Sequence, residues 1–201
     1  VQSLFIKETL RKAASATTAS NARLVVCHSP DDGGAYFADV EAELAAQGPG
    51  DLGARMHRCL TEVLKTAGSA VLVGTDLPSL TASMLRTALD SLTGHDAVLG
   101  PTKDGGYYLI GFRTRPAAEI FTNMPWSTER VADITRTRMS ALGLSWTETE
   151  PISDADSFED LRALSTRRPS PLSPSTRSRL QELVGPASHG WGAPVVSPPE
   201  T

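Results

Sequence analysis

The sequence predicts an α/β fold with a mainly parallel sheet, and three observations carry that prediction. Short apolar runs alternate with helical stretches of about 10–15 residues, the rhythm of βα units. The run Val71-Leu72-Val73 leads straight into Gly74-Thr75-Asp76-Leu77-Pro78, as a buried strand does when it ends in an acidic residue at its carboxyl edge. The chain has 201 residues, 40% of them hydrophobic and 21% charged, which suits one soluble globular domain with a sizeable core.

Taken in order, residues 1–19 read as a helix with Leu4, Ile6 and Leu10 among Lys, Arg and Ala, and residues 23–28 as a strand. Asp31-Asp32-Gly33-Gly34 is a loop, and residues 37–46 read as a helix that stops near Gly48-Pro49-Gly50. Leu52, Met56, Leu60, Val63 and Leu64 recur at helical spacing over residues 51–67, with Asp51 as N-cap and Gly68 as stop. Residues 70–73 form the strand already described. Thr81 caps a helix whose apolar face is Leu85, Ala88, Leu89 and Leu92. Strands follow at 96–99 and 107–112, a helix at 128–142, a strand at 144–149 and a last helix at 157–165. Half of the 14 prolines lie between Pro169 and Pro199. That shift divides the chain into a domain over 1–168 and a Pro-rich, largely disordered tail over 169–201, with a turn or two of helix at 176–184.

Composition narrows the function. The net charge is −4 and no long basic stretch occurs, which argues against a nucleic-acid partner. No apolar run approaches the roughly 18–20 residues of a membrane helix, so no membrane partner is expected. Residues 1–11 lack the pattern of an export signal. Cys27 in a strand and Cys59 in a helix read as small core residues of a reducing compartment, which places the chain in the cytoplasm. His28, His57, His95 and His189 show no metal-ligand spacing, and His57 reads as a surface group or a carboxylate's partner. No nucleophile elbow is present.

Five strings bear chemistry, each with a plainer structural reading beside it. Asp76 is placed to hold Mg²⁺ or Mn²⁺ against phosphates, or simply to cap the next turn. In Asp104-Gly105-Gly106 the glycines admit close backbone approach and Asp104 can orient a hydroxyl or accept a proton; the same string makes a good hairpin turn. Asp154 and Asp156, two residues apart in an extended segment, can lean on one site or cap the helix that follows. Gly48-Pro49-Gly50-Asp51 opens a helix bearing Arg55 in its first turn, an anion-friendly arrangement or an ordinary capped helix. Trp126 before Ser127 can wall a sugar pocket, or staple the helix that Ser127 caps.

Together and in order, these strings resemble the bacterial glycosyltransferase-like proteins of the arsenosugar-biosynthesis type. The resemblance rests on Gly50-Asp51-Leu52-Gly53-Ala54-Arg55-Met56, Gly74-Thr75-Asp76-Leu77-Pro78, Gly100-Pro101 with residues 104–111, Trp126-Ser127-Thr128, and Asp154-Ala155-Asp156-Ser157 with Glu159-Asp160-Leu161. It spans about residues 4–166. It implies the GT-A, or nucleotide-diphospho-sugar transferase, fold: a three-layer α/β/α sandwich with relatives among molybdenum-cofactor and phospholactate guanylyltransferases. It implies metal ligation by Asp76 and Asp156, with Asp154 beside them, and a sugar or acceptor side lined by Asp104, Gly105, Gly106 and Tyr107. Further substrate contacts fall to Gly53, Arg55, Thr75, Trp126, Ser127 and Thr128. Such proteins open with a strand and a Gly-rich, basic nucleotide loop that residues 1–5 do not match, so an N-terminally truncated version with an exposed sheet edge is expected.

The expected activity is metal-dependent transfer of a sugar from a nucleotide-diphosphate donor to a small acceptor, catalysed through Asp76 and Asp104 with Mg²⁺ or Mn²⁺. The rivals are a nucleotidyltransferase acting on a phosphorylated small molecule and a non-catalytic remnant of the fold.

Overall fold

A computed structural model describes residues 2–152, 158–168 and 170–184. The helix α1 (Gln2–Ser20) leads into strand β1 (Val25–His28), and β2 (Glu43–Ala46) lies parallel to it. Then come α2 (Leu52–Val63), β3 (Ala70–Val73), α3 (Ala82–Ser91), β4 (Ala97–Pro101) and β5 (Tyr107–Phe112). The chain continues through α4 (Val131–Ala141), β6 (Trp146–Glu148), α5 (Phe158–Thr166) and α6 (Pro174–Val184).

The main sheet has the order β3-β5-β4-β6. β4 and β6 are parallel, whereas β5 is antiparallel to both β3 and β4, with Leu72 and Leu99 both facing Ile110 across the ladder. β3, β4 and β6 therefore run one way and β5 alone is reversed. Pairwise, the sheet is more mixed than the expected parallel one, because residues 102–106 form a hairpin instead of a crossover. The hairpin closes through Thr102 N–H to the Gly106 carbonyl at 3.0 Å.

Apolar side chains cover both faces of this sheet. On one face Ala13 and Ala16 of α1 and Leu85 and Ala88 of α3 pack with Val98 and Leu109. On the other, Leu60 of α2 and Ala132 and Met139 of α4 pack with Leu99, Ile110 and Phe112. The result is the expected three-layer α/β/α sandwich. The expected caps hold: Asp51 accepts from Ala54 N–H at 2.8 Å, and Thr81 from Met84 N–H at 3.2 Å.

Three expectations fail locally, each for a tertiary reason. The predicted helix over 37–46 is instead a short 3₁₀ turn, Gly33–Phe37, followed by β2. A helix that short is marginal on its own. The edge of β1 supplies defined partners: Glu43 N–H donates to the Leu24 carbonyl at 2.9 Å and Gln47 N–H to the His28 carbonyl at 2.8 Å. The helix expected at 128 starts at Val131, and its N-cap residue Arg130 makes no side-chain cap. Ser127 is no N-cap, since its φ of 62° puts it in the left-handed region. In the predicted tail, α6 forms three turns instead of one or two, with Leu180 and Val184 buried against Phe5 of α1 and Leu164 of α5.

β1 and β2 form a separate two-stranded sheet. The second edge of β1 and the second edge of β3 carry no partner strand among the described residues, and both border a cleft of about 1420 Å³.

A buried ionic cluster fastens α1 to both sides of its surroundings. Glu8, only 2% exposed, accepts from Arg11 at 2.6 Å, from Ser173 N–H at 3.1 Å, and from the Ser173 and Thr176 hydroxyls, each at 2.8 Å. Lys12, also buried, lies 3.7 Å from Glu8 and donates to the Pro78 carbonyl at 3.0 Å. Burial opposes ionisation of Glu8, but the hydrogen bonds from Arg11, Ser173 and Thr176 outweigh it and hold the carboxyl at about 2. A carboxyl depressed in the folded state contributes stability above its unfolded value, and that contribution fades as pH falls towards 2. The shift corresponds to about 3 kcal/mol. In urea unfolding at a series of pH values, the wild type is expected to lose this contribution between about pH 4.5 and 2. Glu8→Gln should be less stable at neutral pH and much flatter across that window.

Candidate active site

The cleft runs between the free edges of β1 and β3, and one end of it reaches Ser29, Gly74, Thr75 and Asp104, beside the carboxyl ends of those strands, where open α/β sheets place their ligands. β3 runs out through Gly74 into Thr75 and Asp76, all three exposed. α1 holds this loop from behind: the Thr9 hydroxyl donates to the Thr75 carbonyl at 3.1 Å, and Lys12 Nζ to the Pro78 carbonyl, three residues on, at 3.0 Å. Thr75 lines the cleft, and Asp76 stands one residue beyond its wall. Among the described residues nothing hydrogen-bonds or pairs with the Asp76 carboxylate.

The hairpin between β4 and β5 brings Asp104 to the cleft. Its Oδ1 accepts from the Thr102 hydroxyl and from Gly106 N–H, the latter at 3.2 Å. The Thr102 hydrogen bond, aided by Gly106 N–H and opposed by slight burial, holds the carboxyl below the usual aspartate range. Asp104 is thus an ionised acceptor with a fixed direction and a weak base. Gly106 and Tyr107 also line the cleft. The Tyr107 ring meets Trp126 edge-on, with centroids 6.3 Å apart, and burial pushes its hydroxyl pKa up.

On the opposite wall α2 presents Arg55, half-buried and lining the cleft. Its Nε donates to the Gly50 carbonyl at 2.9 Å, and Nη1 reaches Ser29 Oγ, just past β1, at 3.5 Å. No described carboxylate neutralises it. The helix N-terminus itself is already occupied, since the Asp51 carboxylate sits where an anion would. Arg55, and not the capped N-terminus of α2, is therefore the charge on this wall without a carboxylate partner among the described residues.

Trp126, Ser127 and Thr128 complete the lining. Trp126 Nε1 is buried without a partner among the described residues, so a donor is left for whatever fills the cleft. Ser127 holds a left-handed backbone that a serine adopts only at some cost. Thr128 turns its hydroxyl onto the Pro125 carbonyl at 2.7 Å.

Two predicted contacts prove to be packing positions. A Cβ on Gly53 would fall 2.5 Å from the Phe121 carbonyl oxygen and 3.0 Å from the Trp126 ring. Gly53 thus docks α2 onto the loop that carries Trp126. Gly105, with φ at 88°, lies against Glu129: a Cβ there would overlap the Glu129 carbonyl, and Ala132 N–H donates to the Gly105 carbonyl at 2.9 Å. Gly105 thereby seats the start of α4 on the hairpin. Asp154 and Asp156 lie outside the described residues; the chain leading to them ends at Ile152, which bridges to Thr102. His57 binds the Pro116 carbonyl at 3.1 Å and no carboxylate.

The sequence reading overlooked Thr102, which orients Asp104, and Lys12, which seats the Asp76 loop. The Thr-x-Asp pattern of a side-chain-closed turn was the available signal for the first. A lysine in a helix gives no such signal for the second.

Asp76 suits a divalent cation by its chemistry, an unpartnered carboxylate at a strand mouth. Among the described residues no cluster of three His, Cys, Asp or Glu side chains supplies a full protein cage. One or two carboxylates with substrate phosphates are the usual complement for Mg²⁺, so the donor set fits a cation bound together with a nucleotide.

Gly105→Ala is expected to destabilise the fold by about 2–4 kcal/mol, from the left-handed backbone and the overlap with Glu129. Gly106→Ala, whose Cβ would meet only the Thr102 and Asp104 side chains at 3.0 Å or more, should cost less than about half as much. Urea denaturation of the two variants distinguishes them.

Comparison with known proteins agrees with this geometry. The model of a family described as uncharacterized proteins conserved in bacteria, DUF2064, matches residues 9–128. Among solved structures, 21 chains are significantly similar. One of them, from Desulfovibrio desulfuricans G20 and named a "putative nucleotide-diphospho-sugar transferase", superposes with a TM-score of 0.79. It is 29% identical in sequence, over 89% of this chain and 80% of its own. No curated protein matches. No helix among the described residues is long and apolar enough to cross a membrane. By its family model and its three-layer architecture, the chain belongs to the bacterial DUF2064 family and has the fold of a nucleotide-diphospho-sugar transferase.

Proposed function

We propose that this protein is a metal-dependent glycosyltransferase of the arsenosugar-biosynthesis type, moving a sugar from a nucleotide-diphosphate donor to a small acceptor. The observation that carries the reading is the arrangement of charge at the cleft. An unneutralised Arg55 faces the strand ends, an unpartnered Asp76 stands at the mouth of β3, and an ionised, fixed Asp104 lies on the hairpin.

Each group has a role in that chemistry. Arg55 binds the donor's diphosphate, where its planar donors match phosphate oxygens. Asp76, with Asp156 and Asp154, would hold Mg²⁺ or Mn²⁺. When bound, that cation neutralises the charge that develops on the departing diphosphate. Asp104, held ionised, accepts a hydrogen bond from a sugar or acceptor hydroxyl and orients it, in preference to removing its proton. Trp126 and Tyr107 wall the sugar with apolar ring surface, and the free Trp126 N–H is available to a ligand oxygen. Thr75, Gly106, Ser127 and Thr128 complete the contacts, whereas Gly53 and Gly105 act by positioning α2 and the hairpin.

The test is a calorimetric titration of UDP, GDP, TDP, CDP and GTP into the protein, with Mn²⁺ and then with chelator. One diphosphate is expected to bind only with metal, and Asp76→Ala to abolish that binding while the circular dichroism spectrum is kept. Arg55→Ala should weaken it about tenfold or more, the value of a charged hydrogen bond. Preference for GTP over every diphosphate would turn the assignment to nucleotidyl transfer. Metal-independent binding, or none, would remove the metal-dependent donor site.

A further inference from the structure

The buried carboxylate of Glu8 has its hydrogen-bonding capacity filled mainly from the C-terminal end of the chain. Its Oε1 accepts from Arg11 Nη2 at 2.6 Å and from Ser173 N–H at 3.1 Å. Its Oε2 accepts from the Ser173 and Thr176 hydroxyls, each at 2.8 Å. A carboxylate offers about four lone-pair sites, so these bonds saturate it. All but the Arg11 bond come from α6 and from Ser173 just ahead of it, whose Oγ also accepts from Thr176 N–H at 3.3 Å.

Lys12 takes its hydrogen bond elsewhere for that reason. Its ammonium lies 3.7 Å from Glu8 Oε1, beyond a good hydrogen bond, and donates to the Pro78 carbonyl at 3.0 Å. Lys12 is buried, so it must find its partners inside the protein.

α6 is the element best able to leave. It has 11 residues, too few for a stable helix on its own. Leu180 and Val184 pack with Phe5, Leu164 and Leu172 in a small cluster, separate from the two that flank the main sheet. Elements held by few apolar contacts are the first to open.

We infer that Lys12 is a positioning residue for the Asp76 loop and that the docking of α6 keeps it in that position. With α6 docked, Glu8 is saturated and Lys12 donates to Pro78. When α6 is released, Glu8 loses the Ser173 and Thr176 donors together. A buried carboxylate short of donors draws in the ammonium already beside it. Lys12 then turns to Glu8 and lets go of Pro78. The loop keeps the bond from Thr9 to the Thr75 carbonyl but loses its other polar hold on α1 among the described residues. Leu77 and Leu80, clustered with Ala13 and Ala16 of α1, loosen with it. The consequence for a cation at Asp76 rests on the proposed function; the exchange of partners does not.

Amide hydrogen exchange in the folded full chain, read by NMR, tests this. Leu80 reports the loop, because its N–H donates to the Leu77 carbonyl at 3.1 Å and its side chain is buried. Ile110, in the middle of β5, reports global opening. With Ser173→Ala and Thr176→Val combined, protection at Leu80 should fall about tenfold or more relative to Ile110. In a Lys12→Met background the same two substitutions should leave Leu80 where Lys12→Met alone puts it. Equal losses at Leu80 and Ile110, or no loss at Leu80, would overturn the proposal. So would an undiminished loss in the Lys12→Met background. The comparison of Leu80 with Ile110 needs only the Ser173 and Thr176 variant, and it decides the matter where Lys12→Met does not fold. Failure of the wild type to bind Mn²⁺ with any nucleotide would remove the proposed function and leave this result standing.

Discussion

Both helical layers and the cleft take their positions from the reversal of β5. β5 lies between β3 and β4, antiparallel to both, and Tyr108–Phe112 is buried along its whole length. A parallel strand in that position would need a long crossover; an antiparallel one needs only the short turn over 102–106. That turn emerges at the same edge at which β3 ends. The hairpin therefore brings Asp104 to the mouth of β3 although 28 residues separate it from Asp76 in the sequence. The packing of both helical layers is referred to the same strand, with Leu109 facing α1 and α3 and Ile110 facing α2 and α4.

Around that centre the site is assembled by docking contacts more than by the candidate groups themselves. Gly105 lets α4 begin on the hairpin, and Gly53 lets α2 approach the loop of Trp126. Both are places where a side chain would strike backbone, so glycine is required by close approach. α1 plays the corresponding part for the loop after β3, where Thr9 and Lys12 hold the carbonyls of Thr75 and Pro78. A buried lysine would be costly alone; Glu8 offsets its charge and at the same time accepts from Ser173 and Thr176 ahead of and within α6. The C-terminal helix is in this way tied, through one carboxylate, to the element that supports the Asp76 loop.

The electrostatics of the cleft follow from which charges are already spent. Asp51 caps α2, Arg23 pairs with Glu43, and Arg58 is committed to the carbonyls of Gln47 and Pro49. Arg55 meets a carbonyl and a hydroxyl, Asp104 a hydroxyl and an amide N–H, and none of Arg55, Asp76 and Asp104 pairs with an opposite charge among the described residues. Under the proposed function, the cation on one wall would meet a diphosphate and the carboxylates its divalent ion.

Elements whose reasons are local could be read before folding was considered. The helices with caps at Asp51 and Thr81, the apolar strands 70–73 and 107–112, and the Asp-Gly-Gly turn were legible because periodicity, capping and turn chemistry act within a few residues. So were the strings that carry Arg55, Thr75, Asp104, Gly106, Tyr107 and Trp126–Thr128, all of which line the cleft. Matters settled by partners distant in sequence needed the folded chain. Residues 43–46 became a strand because β1 offered an edge; α6 became a packed helix because α1 offered Phe5 and Glu8. Gly53 and Gly105 are docking points because α2 and α4 close onto the loop of Trp126 and the hairpin. A local pattern records what a segment can form; which surface it meets is fixed only when the layers close on β5.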